Sequence, residues 1–269
     1  MAGQRVAGMR WLLTPPVAFL AVLLLAPFVL LLPVAAGSLG NVLGYSVFQQ
    51  AAVRTVVMAV VVTVLAVIVG TVYALAISAA PRPIAAILLG ALFLTMWTST
   101  LVRTFAWMLL ELPTGGLYWL LHLAGLRGRP LAIYQTALAP YPAMVHVMLP
   151  YAVLPVYVAL GRIDRQQLQA AQVFGARPLL MLRAVVLPQL RPSIVAGGIL
   201  VFIMSLGVYV TPLLLGSPNQ MTVSGLIDAQ FGVADRQDWA AAMSVLLLGV
   251  AMVIYLVADR LFRVSERWQ

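Results

Sequence analysis

Residues 162–191 read RIDRQQLQAAQVFGARPLLMLRAVVLPQLR, and they sit between two stretches, 130–161 and 192–227, that contain no Asp, Glu, Lys or Arg. Each flank is longer than the roughly 20 apolar residues a helix needs to cross the hydrocarbon core of a bilayer. The quoted segment, with Arg162, Asp164, Arg165, Arg177, Arg183 and Arg191, is therefore a polar connection between two membrane helices. Working outward, four more uncharged stretches appear at 11–53, 55–81, 83–102 and 239–258. Trimming their Gly-, Pro- and Asn-rich ends predicts spans over 12–33, 55–79, 84–104, 136–160, 193–215 and 240–258. The expected fold class is thus an all-α integral membrane protein of six transmembrane helices. It forms a single transmembrane domain over 1–269, with its core at about 50–262 and an inner loop at 162–192. A β-barrel is disfavoured because the runs are continuous in Leu, Val and Ala and do not alternate with period 2.

Composition agrees. Hydrophobic residues make up 63% of the 269, charged residues only 9%, and the mean hydropathy is +1.04, far from soluble usage, in which about a quarter of residues are charged. With no Cys, disulfide scaffolds, thiolate metal sites and Cys nucleophiles are ruled out. The net charge of +9 does not point to nucleic acid, because the 16 basic residues are all Arg and lie thinly between apolar runs. They mark a side of the membrane instead. Arg5, Arg10, Arg82, Arg162, Arg165, Arg177, Arg183, Arg191, Arg260, Arg263 and Arg267 share one side, and Arg54, Arg103, Arg127, Arg129 and Arg236 the other. Positive charge is retained in the cytoplasm during insertion, so both termini are expected there. Arg5 and Arg10 before an apolar run resemble a secretory signal, but a signal's apolar region is about 7 to 15 residues and this run is longer, so a retained first helix is expected.

The quoted segment has internal structure. Residues 163–174 suit a helix with Ile163, Ala170 and Phe174 on one face and Arg165, Gln169 and Gln172 on another. Gly175 is placed to close it in the left-handed conformation, and Pro178 to open the next helix. Ala170 and Ala171 leave room for another surface to come close. Lipid adsorption of a basic amphipathic connector accounts for the Arg residues but not for these spacings.

Gln169-Ala170-Ala171, three residues, Gly175, nine residues, then Val185-Val186-Leu187-Pro188 resembles the EAA loop of bacterial ABC importer permeases. The resemblance implies the type I importer permease fold with a cytoplasmic coupling helix that docks into an ATPase, with Gln169, Ala170, Ala171, Phe174, Gly175, Ala176, Leu187 and Pro188 as the coupling residues. In place of the family's usual Glu stands Gln169, which lacks a carboxylate for an ion pair yet still donates and accepts hydrogen bonds. Further matches extend over nearly the whole chain: Arg103-Thr104-Phe105-Ala106-Trp107, Leu149-Pro150-Tyr151 with Leu154-Pro155, and Val210-Thr211-Pro212 with Leu214-Leu215-Gly216 are similar to spermidine/putrescine-type permeases. That subfamily also includes permeases for other small solutes. The resemblance implies an ABC ATPase dimer that binds the ATP, a second permease subunit, often a different chain, and a periplasmic solute-binding protein. It also implies a multi-pass place in the bacterial inner membrane, in contact with lipid, and no cofactor or metal on this chain.

Residues in or beside the spans mark the pathway or gate candidates: Arg103, Trp107, His146, Tyr151, Tyr209, Pro212 and Asp228. Each has a structural alternative. Arg54 and Arg103 are either headgroup anchors or gate contacts; His146 either lines a path or bonds a neighbouring helix. Trp97, Trp107, Trp119 and Trp239 suit an interfacial belt. Glu111, Asp228, Asp235 and Asp238 fall outside, where they either attract a cation or dock a partner, or simply reflect Arg retention inside. Gly207 and Pro212 are expected to break the fifth helix. A secondary transporter is disfavoured because the predicted span interiors hold no Asp or Glu. A membrane enzyme is disfavoured because His122 and His146 lack a paired carboxylate pattern. ATP chemistry is absent from the chain, since with no Lys no phosphate-binding loop is complete.

Overall fold

The computed structural model describes residues 3–126, 129–130, 132–233 and 235–262, and within them every regular element is helical. Arg127, Arg263 and Arg267, assigned above to membrane sides, lie outside the described residues. In order, the chain forms α1 (Gly3–Ala36), α2 (Leu39–Gly44), α3 (Ser46–Ala79), α4 (Arg82–Trp97), α5 (Thr100–Glu111) and α6 (Gly116–Leu123). Then come α7 (Pro140–Leu160), α8 (Arg165–Val173), α9 (Pro178–Met181), a π-helical turn (Leu182–Val186), α10 (Leu187–Leu206), α11 (Val210–Leu215), α12 (Val223–Phe231) and α13 (Gln237–Phe262). Five stretches are long and apolar enough to cross a membrane: Thr14–Ala36, Ser46–Ala79, Pro140–Leu160, Pro178–Leu206 and Gln237–Ala258.

The third expected span, 84–104, is not one rod. α4 and α5 meet at 108°. The cause is the hydroxyl-rich run Thr95-Met96-Trp97-Thr98-Ser99-Thr100, in which Thr95 and Thr98 donate to the carbonyls of Leu92 and Leu94 at 2.6 and 2.7 Å. Thr98 and Ser99 are themselves extended. Hydroxyls that bond nearby backbone compete with helix continuation, and Ser is a favoured residue ahead of a new helix.

The centre is a three-helix pack of α3, α7 and α10. Small residues make it close: a Cβ on Gly70 would lie 2.8 Å from Ala152 Cβ, and one on Gly197 would lie 3.4 Å from the Tyr151 carbonyl. Helices in lipid gain little from excluding water, so backbone approach at such positions is what holds them. Met58, Val62, Ala66, Met144, Met148, Ala152 and Val201 fill one half of the centre, and Ala74, Ile77, Leu92, Val153, Val156 and Leu190 the other. Pro150, Pro155 and Pro192 stand inside α7 and α10, which neighbouring helices tolerate at membrane depth.

α1 stands apart, with α13 as its main neighbour. Ser38 Oγ donates to Asp238, and Tyr45 meets Trp239 edge-on at 5.4 Å between ring centres, joining the residues on either side of α2 to the start of α13.

Candidate functional site

Two regions collect the residues singled out above, one at each end of the bundle. At the first, α8 is opened by Asp164, whose Oδ1 accepts from the Gln166 N–H at 2.8 Å, a capping bond that Asp supplies well. Gly175 has φ +77° and makes the bend, a conformation that costs other residues about 1 kcal/mol or more. Pro178 then occupies the first turn of α9. Gln169 and Ala170 are exposed, while Ala171 and Ala176 are half-buried. Val173 and Phe174 are 85% and 90% exposed.

The connection after α7 holds less irregular chain than the sequence suggests. From Pro178 the chain runs helically for 29 residues to Leu206, so the second half of 162–192 is continuous with the long helix that follows it. Leu187 and Pro188 lie where the π-helical turn passes into α10. Pro188 has no N–H for the carbonyl four residues back, and its ring crowds that carbonyl. The wider turn just before it relieves both, with the Leu187 N–H reaching back to Leu182 O.

The second region forms where α5 crosses α7 and α11. Trp107 Nε1 donates to His146 Nδ1 at 3.1 Å. Arg103 lies one turn before Trp107, with His146 and Tyr151 as its electrostatic neighbours. Its Nη2 reaches Thr100 Oγ1 at 3.4 Å, while its buried Nε has no hydrogen-bond partner. Four of the candidates, Arg103, Trp107, His146 and Tyr151, are thus brought together. The outer tryptophans divide: Trp107 bonds inward, whereas Trp97 is 89% exposed.

Tyr209 and Asp228 form a separate pair, with the Tyr209 hydroxyl donating to Asp228 Oδ2 at 2.8 Å. Tyr209 sits in the break between α10 and α11, which begins at Gly207. The Leu206 carbonyl at that break accepts from Ser224 Oγ at 3.3 Å. Pro212 does not make the break; it is buried within α11 and lines a shallow recess with Tyr209, Ser217, Met221 and Thr222. Arg54 is neither a simple anchor nor a free contact, since its Nη1 donates to the Asn219 carbonyl at 2.9 Å. His122 stacks on Tyr118.

Sequence reasoning missed several groups. Thr104 and Thr211, hydroxyls 3.1 Å apart, tie α5 to α11 across 107 residues. Both lie in quoted motifs, yet nothing in either motif names the other. Thr55 is buried in α3, donating to Ala51 O at 2.8 Å and accepting from the Val223 N–H at 2.9 Å. Glu111, expected on an exposed outer face, is 1% exposed with both carboxyl oxygens unpartnered. Among the described residues no three His, Asp or Glu gather to hold a metal ion.

Comparison with known proteins places this geometry. The profile of the binding-protein-dependent transport system inner membrane components matches residues 73–269. The chain is 28% identical over 209 residues to the spermidine/putrescine transport system permease protein PotB of Escherichia coli K12, covering 76% of this chain and 75% of that one. It is 32% identical over 177 residues to the inner membrane ABC transporter permease YdcU of the same organism, covering 62% and 56%. In fold it is similar to a chain of a bacterial ABC transporter involved in import of the acidic polysaccharide alginate (TM-score 0.81, 19% identity, 97% and 96% covered). It also resembles a chain of the MetNI methionine ABC transporter (TM-score 0.60, 16% identity, 78% and 92% covered).

Proposed function

The chain belongs to the family of binding-protein-dependent transport system inner membrane components, permeases of ABC importers, and on that premise we propose that it is one of two unlike subunits forming a polyamine pathway. In this reading an ABC ATPase dimer binds and hydrolyses all the ATP, a periplasmic binding protein delivers the solute, and this chain is neither an enzyme nor a cofactor carrier. It is one permease domain that crosses the inner membrane six times, α4 and α5 together making the third crossing, with both termini cytoplasmic and its outward apolar faces against lipid.

The observation that carries this reading is the α8 to α9 bend, which presents Val173 and Phe174 outward directly ahead of an unbroken 29-residue helix. Apolar side chains so exposed on a polar segment call for a partner surface. Gln169, Ala170, Ala171, Phe174, Gly175 and Ala176 dock the ATPase, and Leu187 and Pro188 shape the base of the lever. A helix of this length spans about 43 Å at 1.5 Å per residue, so a push at the bend is delivered at the Gly207 break. There Tyr209, Pro212 and Asp228, together with Arg103, Trp107, His146 and Tyr151, line or gate the route.

Polyamine specificity rests on the similarity to spermidine/putrescine permeases, and on aromatic faces with Asp228, which suit a cation. One observation favours a second reading. The Arg103 guanidinium, with a buried and unpartnered Nε, suits a solute carrying an acidic group. Reconstitution with the partner permease and ATPase tests both, reading ATP-dependent uptake of labelled spermidine against a panel of acidic solutes. Uptake at full rate without any ATPase overturns the importer reading. So does labelling of cysteines introduced over 169–188 from the outer face, in a chain that otherwise has none.

A further inference from the structure

We propose that Gln189 is a positioning residue that locks α8 to the base of the fifth span, so that the two travel as one body when solute is moved. The inference rests on the importer reading above and assigns a specific group to its transmission step.

α8 has nine residues, shorter than the 12 to 15 or so at which an isolated helix becomes even marginal in water. Its position therefore depends on tethers. The Asp164 cap and the Gly175 bend fix its two ends but leave it free to swing against the membrane helices. Among the described residues, a side-chain tether across that gap is Gln189, whose Nε2 donates to Gln167 Oε1 at 2.9 Å. The same nitrogen donates to the Val185 carbonyl at 3.1 Å. A primary amide nitrogen has two hydrogens, so both are committed and the side chain is held from two directions.

The place of the second bond gives the first its meaning. Val185 belongs to the π-helical turn between the bend and α10. Such a turn is the weak place of the lever, because its wider, poorer hydrogen bonding lets the helix yield there. Pro188 adds to this by supplying no N–H. Gln189 spans the weak place, binding a carbonyl within the turn and a side chain on α8. Without it, displacement of α8 is taken up by the turn and does not reach Gly207.

The test compares Gln189→Leu, which keeps bulk and loses both donors, with Gln167→Glu, whose carboxylate still accepts from Gln189. The complete reconstituted transporter is used, and solute moved per ATP hydrolysed is read. Gln189→Leu is expected to lower that ratio at least about fivefold, the lower end of usual coupling effects, with ATP hydrolysis continuing; Gln167→Glu keeps the wild-type ratio. A wild-type ratio in Gln189→Leu overturns the proposal. As a second measurement, cysteines at 167 and 189 are joined with a short bifunctional thiol reagent. The cysteine pair lacks the amide tether, so its ratio is expected to be low before bridging and to rise toward wild type on bridging. A bridge that leaves the ratio low, or that stops uptake until it is released, overturns the proposal, also where the Leu variant fails to fold. Failure of ATP-driven uptake in the wild-type assembly would instead count against the importer reading itself.

Discussion

Trp107 Nε1 and His146 Nδ1 are joined by a 3.1 Å hydrogen bond between α5 and α7. The indole can only donate, so His146 must present Nδ1 as an acceptor and carry its proton, when neutral, on Nε2. One bond thus fixes a tautomer and pins α5 to the bundle. Trp107→Phe keeps an aromatic ring and removes the donor. It is expected to cost about 1 kcal/mol, read as a lower thermal midpoint in detergent, and to reduce uptake further than that loss of stability accounts for. Uptake that tracks the amount of folded protein would separate the pair from transport.

Gly70 faces Ala152 with no room for a methyl group, whereas nothing lies within 4 Å of a Cβ on Gly249. Gly70→Val is expected to destabilise by about 1–3 kcal/mol through overpacking. Gly249→Ala is expected to be neutral or to stabilise by up to about 1 kcal/mol through helix propensity. Thermal unfolding of both variants in the same detergent checks the contrast.

Thr55→Val removes an acceptor from the buried Val223 N–H. A buried donor left unsatisfied costs about 1–3 kcal/mol. Since the bond anchors α12 to α3, the expected signature is faster hydrogen exchange confined to 223–231, with α7 and α10 unchanged.

At Gly175, φ +77° is out of reach for Pro, which is fixed near −65°. Gly175→Pro is expected to insert normally and to lose both ATPase copurification and uptake. Gly175→Asn, which tolerates the left-handed region, is expected to retain most of each. Equal loss in both variants would mean that bulk at this site, not backbone conformation, is what matters.

Much of the fold was legible because its determinants are local. Hydropathy located the five long helices, and Gly175 and Pro178 marked their bend through backbone preferences that need no neighbour. The 108° break after Trp97 had a signal, Trp97-Thr98-Ser99-Thr100, but apolar continuity across 83–102 overrode it. That 178–206 is one helical run was not read, because Arg183 and Arg191 suggested a loop, where charge at a helix end is compatible with a longer helix. The Thr104–Thr211 and Gln167–Gln189 bonds and the burial of Glu111 depend on which helices meet, and no spacing within one helix encodes that. For the same reason Arg103 and His146 could be named as candidates but not placed together.

The attachment of α1 mainly to α13 has a consequence for biogenesis. Ser38 and Asp238 are 200 positions apart, and ribosomes add about 5–20 residues per second. Helix α1 therefore waits on the order of 10–40 s for α13 to emerge. During that interval it is a lone apolar rod in the bilayer, open to capture by other nascent spans or by chaperones. Late closure of this seam orders the assembly line: the central pack of α3, α7 and α10 can be complete before the seam is made.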